Sequence, residues 1–180
     1  SIQPAVDADI PVRVLNSYRP EASGTLITRT REPGGEPSRQ SVVSVACKRD
    51  QLLLNVYSTR MLGASGFLRR VFEVFEKLEI SVDHIATSEV NVSVTLSPTG
   101  RTEELVRMLG EVAAVRIHRN MGVVSVVGER IAQTPGVAAS IFQTLRDVNV
   151  HLITYGGSGI NVSFVIDTDR VPDAVRRLHS

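Results

Sequence analysis

The stretch that decides the fold is residues 61–96, MLGASGFLRRVFEVFEKLEISVDHIATSEVNVSVTL, read against residues 131–166, IAQTPGVAASIFQTLRDVNVHLITYGGSGINVSFVI. Gly66 falls on Gly136, seventy residues further on. The same offset, without a gap, sets Val71 on Ile141, Phe72 on Phe142, Phe75 on Leu145, Ile80 on Val150 and Val82 on Leu152. Ser88-Glu89-Val90-Asn91-Val92-Ser93 then falls on Ser158-Gly159-Ile160-Asn161-Val162-Ser163. A register held this long is an internal duplication.

Each copy resolves into elements. In the first, Gln51–Ser58 reads as a strand, and Phe67, Leu68, Val71, Phe72, Phe75 and Leu78 recur at helical spacing. Arg69, Arg70, Glu73, Glu76 and Lys77 cover the opposite face, with Arg69/Glu73 and Glu73/Lys77 four apart and of opposite charge. Ser81–Thr87 is a strand, and Val90, Val92, Val94 and Leu96 alternate with polar residues as a half-buried strand does. Thr102–Gly110 reads as a helix and Ala113–His118 as a strand. The order is βαββαβ, the ferredoxin-like arrangement: α+β, antiparallel sheets, helices on one face. The second copy gives strand Val123–Gly128, helix Pro135–Asp147 with Thr134 as cap, strands Val150–Tyr155 and Ile160–Asp167, and helix Val171–Leu178. Its sixth element is expected from the β-rich run Val42–Cys47. The first module then covers residues 49–119, and the second covers 42–48 plus 120–180. Residues 1–41 hold two short strand-like runs, Ile10–Leu15 and Thr25–Thr28, and a Gly/Pro-rich charged linker over 29–40. They read as the trailing edge of something larger.

Composition limits the function. The chain has 180 residues, 42% apolar and 22% charged, which suits globular modules rather than disorder. A net charge of +1 and 4% aromatics argue against a nucleic-acid partner or an anionic membrane surface. No apolar run approaches a spanning length, and no signal pattern opens the chain. The single cysteine, Cys47, excludes an internal disulfide and a thiolate zinc site and fits a reducing cytoplasm; it reads as a small buried hydrophobe. His84, His118, His151 and His179 read as isolated, with no metal or catalytic role. Gly156-Gly157-Ser158-Gly159 lies between two strands, so it reads as a hairpin turn rather than a phosphate cradle. No set of nucleophile, base and orienter is present, so no catalytic residue is assigned.

The chemistry lies where the copies differ. Asp83 stands where the second copy has Ile153, and Glu89 stands where it has Gly159. Two carboxylates thus bracket the end of one strand in one copy only. The topology is expected to set loop Met61–Ser65 and the Gly66 helix end beside them. A helix N-terminus offers unpaired N–H groups to a carboxylate, and Asp83 and Glu89 offer charge to ammonium groups, so the group suits an amino acid with a second cationic end. Spacing alone leaves open that Asp83 is a solvated strand end, Glu89 a hairpin surface charge and Met61 a packing residue. It also leaves Asn91/Asn161 open between module pairing and simple exposure.

The run over Met61–Leu96, with its Met-Leu, Gly-Phe-Leu, Ser-Val-Asp and Thr-Ser-Glu-Val, closely resembles the regulatory region of aspartate kinases, most of all the lysine-inhibited members. TPGVAASIF and INVSFVID resemble the family's second ACT module, and IPVRVLNSYRPEASGTLIT is similar to the close of its kinase lobe. The resemblance implies tandem ACT modules that pair across a homodimer and bind an end-product amino acid for feedback inhibition. It implies a lysine site at Met61, Gly66, Phe67, Leu68, Ser81, Val82, Asp83, Ser88 and Glu89. Ala64 stands in that site where some lysine-inhibited members carry serine, and Gly63 where they carry histidine. A threonine or S-adenosylmethionine sensor, or a ligand-free dimerisation module, is the alternative. Family members phosphorylate the aspartate side chain with ATP. The motifs for that step, with ATP and Mg, belong to a kinase lobe, so this chain alone is expected to show no kinase activity and to need no cofactor.

Overall fold

The structure is a computed structural model and describes residues 2–19, 21–28, 44–58, 65–128, 131, 133–155 and 159–179. The expected linker 29–40, Val42 and Val43 of the expected strand, and Gly156–Ser158 of the expected hairpin lie outside the described residues. The chain divides into two units, 1–39 and 40–180. In the first, a short helix α1 (Gln3–Asp7) precedes β1 (Val12–Val14) and β2 (Thr25–Ile27), which pair antiparallel with Val12 opposite Ile27. Gly24 precedes β2 at φ +66, where a Cβ would stand 2.2 Å from the Val14 carbonyl oxygen; only glycine fits.

The second unit runs β3 (Ser44–Tyr57), α2 (Phe67–Lys77), β4 (His84–Thr87), β5 (Asn91–Leu96), α3 (Thr102–Val112), β6 (Ala114–Val127), α4 (Val137–Thr144), β7 (Leu152–Tyr155), β8 (Asn161–Asp167) and α5 (Val171–His179). One antiparallel six-stranded sheet forms in the order β4-β5-β3-β6-β8-β7. The sequence reading split β3 and β6 into separate short strands. Each is instead one strand of 14 residues, and β3 and β6 start seventy residues apart. Each is bent in its middle by a residue in the left-handed region, Asp50 at φ 56 and Asn120 at φ 56. These two sites also obey the offset, and Asp and Asn tolerate that conformation best among residues with a side chain.

The β3–β6 register slips around Gln51, which stands opposite Met121. That pair maps onto itself under the repeat, so a local two-fold relates the copies there. Ser44–Lys48 pairs with Val123–Val127, while Leu53–Tyr57 pairs with Ala114–His118. Each long strand thus lends its first half to the other copy's sheet. The slip reverses the in–out alternation. Val45 packs with the second copy's core, whereas Leu52, Leu54 and Val56 pack with the first.

Three cores result. Under α2 and α3, Leu54, Val71, Val92, Leu105 and Leu109 are fully buried. Under α4 and α5, Val124, Ile141 and Val162 are the counterparts of Leu54, Val71 and Val92. A third cluster, Leu53, Met121, Val123, Leu152 and Val165 with Ala86 against it, lies on the sheet face away from the helices. Across that face β4 meets β7, with His84 Nδ1 3.3 Å from Thr154 Oγ1, again a pair seventy apart.

Candidate functional site

Helix α2 starts without a side-chain cap. Its N-cap is Gly66 at φ 79, and no acidic residue lies in the first turn. An added Cβ at Gly66 would meet nothing within 4 Å, so backbone conformation rather than space calls for glycine. Among the described residues no side chain caps these first-turn N–H groups, and a helix N-terminus of this kind favours an anion. Phe67, 3% exposed, anchors the turn in the core while Leu68 stays 40% exposed. The β4–β5 turn closes at the same end of the sheet. Ser88 N–H donates to Asn91 O at 2.8 Å, Ser58 N–H donates to Val90 O at 3.0 Å, and Tyr57 stands opposite Asn91. Ser88 and the exposed Glu89 therefore share an end with the Gly66 turn. Met61, Gly63 and Ala64 lie outside the described residues.

The other half of the expected site is elsewhere. Helix α2 has 11 residues, about 16 Å at 1.5 Å per residue. The chain returns through Ser81 and Val82 to Asp83 only after that length. Asp83 N–H donates to Thr95 O at 2.8 Å, which fixes it ahead of β4. Asp83 and Glu89 flank the two ends of β4 rather than one strand end, so the expectation that Asp83 sits beside the Gly66 turn does not hold within one copy. What looked like near neighbours in sequence are kept apart by four extended residues. Gly66, Phe67, Leu68, Ser88 and Glu89 lie toward one end of the sheet, and Ser81, Val82 and Asp83 toward the other.

Sequence reasoning missed Lys48. Its ammonium lies 2.6 Å from Asp83 Oδ2, across 35 residues of chain. A cavity of about 300 Å³ beside the pair is lined by Ala46, Lys48, Asp83, His84, Val123 and Ser125. His84 has its pKa pushed below the ordinary 6.5 by burial, with Asp83 opposing and Lys48 assisting. No local signal reveals Lys48, because its pairing with Asp83 depends on strand halves being exchanged.

The second copy keeps the glycine helix start, with Gly136 at φ 85 and no side-chain cap, but differs in the side chains around it. Ile153 and Gly159 replace the carboxylates, and Ile131, at the register of Met61, is fully buried in the core. Tyr155 Oη donates to Ile131 O at 3.3 Å, which ties that loop to β7. Two expectations about single residues are corrected. Cys47 is exposed rather than buried, because it lies in the outer half of β3. His118 and His151 are not isolated: their rings lie 6.0 Å apart, and His151 Nε2 is 3.3 Å from Asp167 Oδ1. Asn91 is half-buried. It donates to Ser93 Oγ at 2.9 Å, and Ser93 donates to Asn55 Oδ1 at 2.7 Å, beside a cavity of about 310 Å³ between β4–β5 and β7.

Comparison with known proteins follows the same lines. Residues 124–180 match the ACT domain family. "Aspartokinase 2, chloroplastic" of Arabidopsis thaliana is 40% identical over 193 residues, covering 100% of this chain and 35% of that protein. The chain therefore spans about a third of the length of that relative. A solved structure assigned as a C-terminal regulatory domain of aspartate kinase from Porphyromonas gingivalis W83 is 33% identical with a TM-score of 0.67, covering 75% of this chain and 93% of that one. Escherichia coli aspartokinase III, in complex with lysine and aspartate, is 34% identical with a TM-score of 0.83, covering 99% of this chain and 40% of that one. No helix among the described residues is long and apolar enough to cross a membrane.

Proposed function

We propose an effector-sensing role for this chain, which belongs to the aspartate kinase family as its ACT-domain regulatory region. The effector is lysine. Its carboxylate sits on the N–H groups at the start of α2, and its ammonium groups face Asp83 and Glu89. Binding favours one arrangement of paired modules, and a kinase lobe that phosphorylates aspartate, and holds the ATP and Mg that step needs, responds to it. The similarity to an aspartokinase solved with lysine supports this choice of effector.

The observation that carries the reading is the position of the two carboxylates at opposite ends of β4, the outer strand of the sheet. The length of α2 exceeds the reach of one lysine, so a single copy cannot offer it both groups. Two copies joined antiparallel along β4 remove the difficulty. That pairing sets Asp83 of one copy against the Gly66 turn and Glu89 of the other, and an isologous contact yields two such sites. Ile85, 43% exposed and opposite the core residue Val94, and Leu68, 40% exposed, supply apolar surface for the join.

Mixing two inactive chains tests this. Asp83→Ala and Glu89→Ala chains should each lose lysine binding in calorimetry. Heterodimers made from both should recover one intact site of two. No recovery, with dimers formed, would point to a site within one copy. Dimers with no heat for any amino acid would mark a ligand-free dimerisation module. A thermal-shift series with lysine, threonine, methionine and S-adenosylmethionine identifies the effector, since selective binding raises the melting temperature.

A further inference from the structure

We propose that Lys48 is a specificity-determining residue of the effector site: its own ammonium holds Asp83 while the site is empty, and a ligand must bring a free ammonium to displace it. The inference rests on the reading of Asp83 as the effector's ammonium partner. The Lys48–Asp83 contact of 2.6 Å has the same chemistry as the expected effector contact, a primary ammonium on a carboxylate. The seat is therefore already filled by an internal stand-in.

Three features make exchange workable. The Lys48 side chain is 50% exposed and that of Asp83 33%, so the lysine can swing into water and the carboxylate can be reached from solvent. An exposed ion pair is weak, so a ligand does not have to overcome a buried bond. Asp83 is also never left bare: one cation leaves as another arrives, and a neutral or purely anionic molecule cannot make the trade. The device exists in one copy only. At the corresponding positions the second copy has His118 and Ile153, which cannot form this pair, and the His118 ring lies tilted 6.0 Å from that of His151 instead.

The exchange also couples the modules. Lys48 stands opposite Val123, in the half of β3 that completes the second module's sheet, whereas Asp83 leads into β4 of the first. The ion pair ties one module to the other. Effector binding at Asp83 unties it at the same step, so the ligand alters the junction that the two copies share.

Calorimetric titration of the full chain with lysine, using Lys48→Met and Lys48→Gln, tests the exchange. Both variants should bind lysine about three- to fivefold tighter, the factor set by an exposed ion pair. Their affinity should also fall more steeply with added salt than that of the natural chain, because a new ion pair replaces a one-for-one trade. Weaker binding would place Lys48 on the effector's carboxylate, and unchanged affinity and salt dependence would make it a bystander; either result overturns the proposal. Asp83→Asn in the same series separates the two levels. If it binds lysine as the natural chain does, the underlying reading of the site fails. If it loses binding while the Lys48 variants gain nothing, only the exchange fails.

Discussion

At the seat of Asp83 the second module carries Ile153, at Glu89 it carries Gly159, and at Met61 it carries Ile131. The sheet beneath is the same in both. The long strands, their left-handed residues and the glycine N-caps recur seventy residues apart. The backbone was thus retained twice, but these side chains were not. In the second module Ile131 fills the core beside its helices and Tyr155 ties the loop down, so that end is closed by the protein itself. Both helices start at a glycine without a side-chain cap, but only in the first does that end carry an exposed carboxylate, Glu89. Duplication preserved the scaffold, while the carboxylates Asp83 and Glu89 stand in the first copy alone.

The sharpest way to break this comparison is to open the closed module. Ile131→Ala removes a fully buried side chain and should cost about 2–4 kcal/mol in urea unfolding. The same truncation at Met61 is expected to appear chiefly in lysine affinity. If Ile131→Ala cost no more than an exposed substitution, the plugged-module reading would fall. Next in size is Asp83→Ala, which should weaken lysine binding by about 1.5–3 kcal/mol, roughly ten- to a hundredfold, with Ile153→Ala leaving it unchanged. Equal effects at both positions would erase the functional asymmetry.

Much of the fold was legible because it repeats. Gly66 and Gly136, the helical spacing from Phe67 to Leu78 and the Val90–Leu96 alternation led directly to α2, β5 and their twins. The fusion of short strands into β3 and β6 was not legible. Asp50 and Asn120 look like turn residues, and nothing local says that they bend a strand rather than end it. Helix α4 begins at Val137 rather than Pro135 because Gly136, at φ 85, takes the cap position expected of Thr134. The site suffered more. The acids Asp83 and Glu89 could be picked out by comparing copies, but their separation depends on where β4 begins; the run Val42–Cys47 reads as part of the second module's sheet, yet the contact of Lys48 with Asp83 across the modules leaves no mark in the spacing.

Smaller effects come from pH, and they too separate the modules. His84 has its pKa lowered from 6.5 by burial, while its twin Thr154 does not titrate. A histidine that takes up a proton more readily unfolded than folded makes stability fall as pH drops through 6.5 toward the folded value. Asp83 opposes the shift without reversing it, and Lys48 adds to it. Melting temperatures should therefore decline between pH 7.5 and about 5.5, and His84→Asn should flatten that slope. A slope unchanged by the substitution would show that the junction does not sense this proton.

The smallest expected effect lies on the second module's helices. Asp147 occupies the register of Lys77, and the Arg177 guanidinium meets it at 2.6 Å with Arg170 at 3.3 Å. The hydrogen bond from Arg177 holds the Asp147 carboxyl below its ordinary 3.8. This contact favours the folded state above pH 3.8 and is lost as pH falls through the lower folded value. In the first module Arg107, at the register of Arg177, pairs with Glu111 on its own helix at 2.8 Å instead. Asp147→Asn should thus leave melting near neutral pH slightly lowered and flatten the acid limb. Asp147 lies at the surface, so added salt should shrink its effect. A salt-independent loss would mean that Asp147 acts through packing between α4 and α5, and the contrast in charge between the modules would then carry no stability difference.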